Sequence, residues 1–195
     1  MGRWTEFLAL GSPFFFKLVT SFASGRFSES EASLAKDLRI LFEKLGPTYV
    51  KLGQFLSIRP DIIGEVAMKE LKTLQDGVKR FPTEEAMEVI KIEYGIDDIY
   101  EVFEELSEEP VAAASLAQVY KGKLKTGEIV AVKVQRPGTL ELVSKDLYVL
   151  RRAAELVQGI VERLNKQDKS DYVALMETWA EGFYTELDFI NEARN

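Results

Sequence analysis

The sequence predicts an α+β fold, with helices first, a small antiparallel sheet next and two long helices last. Two observations carry this. Apolar residues recur at helical spacing through the first hundred residues, and after about Tyr100 the period shortens to that of strands. Paired turn signals then bound each strand.

The elements follow in order. Phe7 to Phe22 is rich in Phe and Leu, with Trp4 just before it, interrupted by Gly11-Ser12-Pro13 and Lys17. It reads either as a helix packed on the rest of the chain or as an interfacial segment at a membrane surface. Ser28 and Glu31 have capping-box spacing, and Leu34, Leu38, Leu41, Phe42 and Leu45 follow with a helical period. Gly46-Pro47 stops that helix, and Tyr49 to Leu56 forms a short second one ending near Arg59-Pro60. A third is predicted from Asp61 to Gln75. A fourth opens at Phe81-Pro82-Thr83, with Thr83 as N-cap and Gly95 as C-cap. Val102-Phe103, Leu116 to Leu124 and Ile129 to Gln135 read as three strands, the last two joined by a tight turn at Lys125-Thr126-Gly127-Glu128. Pro137-Gly138 ends the third strand. Helices are expected over about Leu140 to Leu164 and Tyr172 to Arg194.

Composition narrows the chemistry. The 195 residues carry 25 basic and 32 acidic side chains, a net charge of −7, which argues against nucleic acid as a partner. With no cysteine and no histidine there are no disulfides, thiolate metal sites, imidazole bases or Ser-His-Asp triads. Chemistry must run on Lys, Arg and carboxylates, which suits phosphate and Mg²⁺ handling. No apolar run is long enough to span a membrane.

The most informative segment is V-A-A-A-S-L-A-Q-V-Y (Val111 to Tyr120), followed by V-A-V-K ending at Lys133. Protein kinases place a G-x-G-x-x-G-x-V loop over the nucleotide phosphates and a lysine on a later strand, V-A-I-K. Here Ala112, Ala114 and Ala117 stand at the glycine positions, Val119 keeps the valine, and Lys133 follows it by fourteen residues. Ala113 and Ser115 complete the small-residue loop. A strand lysine can hold an ammonium against the α- and β-phosphates. Lys133 lies between Val132 and Val134, so its side chain alternates to the opposite face from theirs.

Two further motifs make the resemblance specific: K-L-G-Q (Lys51 to Gln54) and E-L-D-F-I-N-E-A (Glu186 to Ala193). K-x-G-Q, an alanine-rich loop, V-A-V-K and E-x-D in that order resemble the UbiB (aarF-domain) family of atypical kinase-like proteins, over roughly residues 30 to 195. By that resemblance Lys133 is the phosphate-contacting lysine and Glu192 the helix glutamate that pairs with it, the two catalytic candidates. Ala112, Ala113, Ala114, Ser115, Ala117, Val119 and Lys133 form the nucleotide site. Lys51, Gln54, Glu186 and Asp188 belong to a regulatory cap folded over it. Glu186 and Asp188 are about 200° apart around a helix and so serve different partners; Glu186 is assigned to Lys51.

Residues 1–27 form an aromatic segment outside the resemblance, with membrane-surface contact as one of its two readings; the resemblance implies domains at 28–99 (helical cap) and 100–195 (kinase-like small lobe with an inserted helix), the large lobe missing. It implies ATP or ADP as ligand, with Mg²⁺ ligands expected in the missing C-terminal part, since no D-F-G-like or H-R-D-like segment is present. No metal ligand is assigned in this sequence. The implied role is that of an ATPase or phosphotransferase in isoprenoid quinone or prenyl-lipid metabolism. Expected partners are nucleotide, a quinone-related small molecule, quinone-biosynthesis proteins and a bacterial or organelle membrane. This part alone is expected to be inactive, as phosphoryl transfer needs the absent carboxylates. The alternative is a non-catalytic helical interaction or lipid-surface module with a relic lobe.

Overall fold

A computed structural model describes residues 2–75, 80–164 and 170–187 and has the α+β class expected from the sequence. The chain divides into two compact units, one of residues 1–25 with 140–195 and one of residues 26–139.

The first unit holds α1 (Arg3–Ala23), α6 (Thr139–Leu164) and α7 (Tyr172–Leu187). Pro13 lies inside α1, and the helix runs through the Gly11-Ser12-Pro13 interruption. Asp146 of α6 is fully buried and accepts two hydrogen bonds from the Arg3 guanidinium, which also donates to Glu6 at 2.7 Å. Burial acts to lower the Arg3 pKa, but the bonds to Asp146 and Glu6 outweigh it and hold the guanidinium above its ordinary value. Arg151 pairs with Glu177, Gln158 accepts the backbone N–H of Tyr172 at 2.8 Å, and the Ser144 and Tyr184 hydroxyls share a hydrogen bond at 3.3 Å, so these contacts fix α7 to α6. On α1, Leu8, Phe15, Phe16, Val19 and Phe22 are exposed and share one side of the helix.

The second unit has two parts. The first is a helical cap of α2 (Phe27–Leu45), α3 (Pro47–Leu56) and α4 (Glu65–Leu71), continued by a 3₁₀ turn at Lys72–Gln75. Leu34, Leu41, Phe42 and Leu45 of α2 are buried with Tyr49, Leu71 and Leu74, and Arg39 donates to Glu70 at 2.7 Å to tie α2 to α4. Gly46 adopts φ 103°, a conformation open to glycine, so α2 ends there and α3 starts at Pro47, where the missing N–H costs nothing. The expected Ser28 cap does not form. Gly25 (φ 69°) ends α1, Arg26 becomes the N-cap without a side-chain bond, and Ser28 already lies inside the first turn. The helix expected from Asp61 to Gln75 starts later, at Glu65.

The second part is a four-stranded antiparallel sheet covered on one face by α5 (Thr83–Tyr94). The central strand β3 (Ala117–Leu124) pairs along its length with β4 (Ile129–Gln135). On its other edge it pairs with two separate pieces, β1 (Phe103–Leu106) and β2 (Ala112–Ala113). The sequence reading placed one strand before Leu116; the structure has two. Gly127 (φ 93°) closes the β3–β4 turn, its N–H donating to the Leu124 carbonyl at 2.8 Å. The core beneath the sheet is Phe81, Ala86, Ile90, Phe103, Tyr120 and Val134. Gly122 leaves the room that Phe103 fills: a Cβ there would stand 3.1 Å from the Phe103 ring.

Candidate functional site

Directly opposed residues of an antiparallel ladder share a face. Ala112 lies opposite Val119, and Val119 opposite Lys133, so these three form one row across β2, β3 and β4. The next row, Ala113, Gln118 and Val134, belongs to the other face. There Val134 and Gln118 are buried, while Ala112 and Lys133 on the open face are exposed. The alternation expected for Lys133 is therefore present.

The alanine segment is a tight turn. Ala114 N–H donates to the Ala117 carbonyl at 2.8 Å, and Val111 N–H to the Val119 carbonyl at 2.8 Å. No described non-glycine residue has a positive φ, so the turn uses only conformations that alanine tolerates. Glycine is not required by this backbone. Ser115 and Ala117 are buried, Ala113 half-buried and Ala114 exposed.

Lys51 and Gln54 lie on α3, both half-buried. Gln54 Nε2 reaches the Leu74 carbonyl at 3.5 Å. Between them, buried Gly53 is the contact point of the cap: a Cβ there would stand 2.3 Å from Leu74 Cδ1 and 2.8 Å from Phe42 Cδ2. The K-L-G-Q motif thus has a packing reason for its glycine. Glu186 is exposed on α7, in the other unit. Asp188 and Glu192 lie outside the described residues.

Two features escaped the sequence reading. Gln118 is fully buried and grips Phe81 from both sides, accepting from its N–H at 3.0 Å and donating to its carbonyl at 3.1 Å. Its amide also donates to the Tyr120 hydroxyl at 3.0 Å. A glutamine alternating with the apolar positions of a strand was the available signal. The second is Arg136, immediately after β4. Its guanidinium stacks over the Phe81 ring at 5.1 Å, and burial pushes it below its ordinary value, partly offset by Glu85.

Arg136 and Ser115 line a cleft of about 700 Å³ with cap residues of α2, α3 and the 3₁₀ turn. Pro47, Val50 and Leu74 supply an apolar wall; Lys44 and Glu43 supply charge. Among the described residues no group of three or more carboxylates stands close enough to hold a metal ion. No described helix is long and apolar enough to cross a membrane.

An antiparallel sheet with a small-residue turn over one end and a lysine on its open face is the framework of a kinase-like small lobe. Residues 73–195 match the profile of the ABC1 atypical kinase-like domain, and the chain belongs to that family. It is 47% identical over 161 residues to uncharacterized protein sll0005 of Synechocystis, covering 83% of this chain and 23% of that protein. It is 39% identical over 194 residues to the Arabidopsis thaliana protein ACTIVITY OF BC1 COMPLEX KINASE 3, chloroplastic, covering 99% and 27%. It is 40% identical over 169 residues to a probable protein kinase UbiB of Pseudomonas fluorescens, covering 85% and 30%. The chain therefore spans about a quarter of the length of these relatives. Among solved structures, the Rv3197–erythromycin complex from Mycobacterium tuberculosis is similar with a TM-score of 0.46 at 28% identity, over 89% of this chain and 43% of that one.

Proposed function

We propose that this chain is the nucleotide-binding small lobe and helical cap of an ATP-using atypical kinase-like protein that acts in isoprenoid quinone or prenyl-lipid metabolism. The observation that carries the nucleotide part is the row of Ala112, Val119 and Lys133 across the open face. The row sets a cation beside two small apolar side chains, against which a base and its phosphates can lie. In this reading Lys133 binds the α- and β-phosphates, Glu192 orients it, and Mg²⁺ supplies charge neutralisation when bound with the nucleotide. Glu186 and Lys51 link α7 to the cap, with Gln54 and Asp188 beside them. The quinone assignment rests on kinship with a probable protein kinase UbiB.

Calorimetric titration of the chain with MgATP and MgADP tests the nucleotide reading. Saturable binding that Lys133→Ala abolishes is expected. A folded chain that binds neither nucleotide refutes it.

The exposed aromatic side of α1 favours contact with a membrane surface as well. Phe16, Val19 and Phe22 are 73%, 64% and 61% exposed. An interfacial helix buries such a face among lipid headgroups. Flotation with liposomes should be lost in the double variant Phe16→Glu with Phe22→Glu; unchanged flotation refutes this contact.

A further inference from the structure

The cleft beside the alanine turn is a separate site from the open face of the sheet. Arg136 follows Gln135, so strand alternation sends its side chain to the face opposite Lys133, and its stacking on the core residue Phe81 agrees. We propose that this cleft binds a small amphiphilic anion, a phosphate or carboxylate on an apolar body, with Arg136, Lys44 and Ser115 holding the anionic group and Pro47, Val50 and Leu74 the body.

Four properties support this. The volume, about 700 Å³, lies in the range of small-molecule pockets. Its lining is divided chemically, with two cations and a hydroxyl facing an apolar wall. The carboxylate that also lines it, Glu43, is bonded to Arg39, while Lys44 makes no ion pair among the described residues. Finally, Arg136 is preorganised. Its guanidinium lies on Phe81, whose backbone is clamped by Gln118, and its partial burial strengthens any bond to an anion.

Calorimetry with hexyl phosphate tests the proposal, with hexanol and inorganic phosphate as comparators. Hexyl phosphate is expected to bind at least tenfold more tightly than either, because each comparator lacks one half of the recognition. Arg136→Gln and Lys44→Gln should each weaken it about tenfold, the loss of one charge-assisted bond. Lys133→Ala should leave it unchanged when no nucleotide is present. Lys44 is exposed, so its variant keeps the fold even if Arg136→Gln does not, and circular dichroism separates those cases. Vesicles of phosphatidylcholine with and without phosphatidic acid distinguish the source of the anion. Capture that requires phosphatidic acid and falls in both variants assigns it to a lipid headgroup; binding of hexyl phosphate without capture assigns it to a soluble molecule. Equal affinity for hexanol, undiminished binding by folded Lys44→Gln, or loss of binding in Lys133→Ala overturns the proposal.

Discussion

Replacing Gln118 by leucine should destabilise the sheet unit far more than its place in an eight-residue strand suggests. The side chain is fully buried and makes three hydrogen bonds, two to the backbone of Phe81 and one to the Tyr120 hydroxyl. Leucine fills similar space but leaves the Phe81 N–H, the Phe81 carbonyl and the Tyr120 oxygen without their partner. A buried polar group left unsatisfied costs about 1–3 kcal/mol. Three such groups, less about 1 kcal/mol returned by the apolar side chain, give a loss of roughly 2–8 kcal/mol. Against the stability of an ordinary domain, about 5–15 kcal/mol, that is a large loss. With a urea slope of about 2 kcal/mol/M, a 3 kcal/mol loss moves the midpoint by about 1.5 M. Both tryptophans, Trp4 and Trp179, belong to the other unit, so their fluorescence reports that unit alone. Circular dichroism across a urea series, with hydrogen exchange at the Phe81 amide, is the proper assay. A midpoint within about 0.2 M of the parent and unchanged Phe81 protection would refute the reasoning. Tyr120→Phe, which removes one bond, should cost about 1 kcal/mol.

Other outcomes are expected. Gly53→Val should cost about 1–3 kcal/mol by overpacking, because its Cβ meets Leu74 and Phe42 below contact distance; an unchanged urea midpoint would count against the close helix approach. Asp146→Asn should cost the three-helix unit about 3 kcal/mol, read by Trp4 fluorescence, and a combined Arg3→Met, Asp146→Leu change should recover part of it. Ala114→Gly should lower stability by about 0.4–1 kcal/mol through the freer unfolded chain and alter the ATP-to-ADP affinity ratio; calorimetry showing neither change would make the segment an ordinary turn.

What the sequence disclosed was local in its physics. Gly46-Pro47, Gly95, Gly127 and Gly138 mark breaks that each residue enforces by its own backbone preference, and the structure has positive φ at all four glycines. The open-face row was legible for a similar reason: strand alternation is a property of the backbone. The split edge strand was not. Ala112 and Ala113 have little strand preference of their own, and they are extended because β3 supplies partners for Val111, Ala112 and Ala113. The Ser28 cap failed because Gly25 turns the chain so tightly that the next helix begins before the serine. Gln118, Gly53 and the cleft depend on partners distant in the chain, which no short pattern encodes; the Gln118–Phe81 pair, for instance, spans 37 residues.

Strand alternation also explains how one small sheet can present two different surfaces a few residues apart. Odd positions of β4, through Lys133, look out from the open face; even positions, through Val134 and then Arg136, look toward the core and the cap. The alanine turn joins the two, since Ala112 begins on the open row and Ser115 ends in the cleft. A turn of alanines restricts this segment to fewer conformations than a turn of glycines would. It therefore transmits position between cleft and sheet more rigidly. A ligand that holds Ser115 and a nucleotide that rests on Ala112 would each fix the same short segment. The substitution of alanine for glycine is in this light a stiffening of the connection, made possible because the backbone here never needs a positive φ.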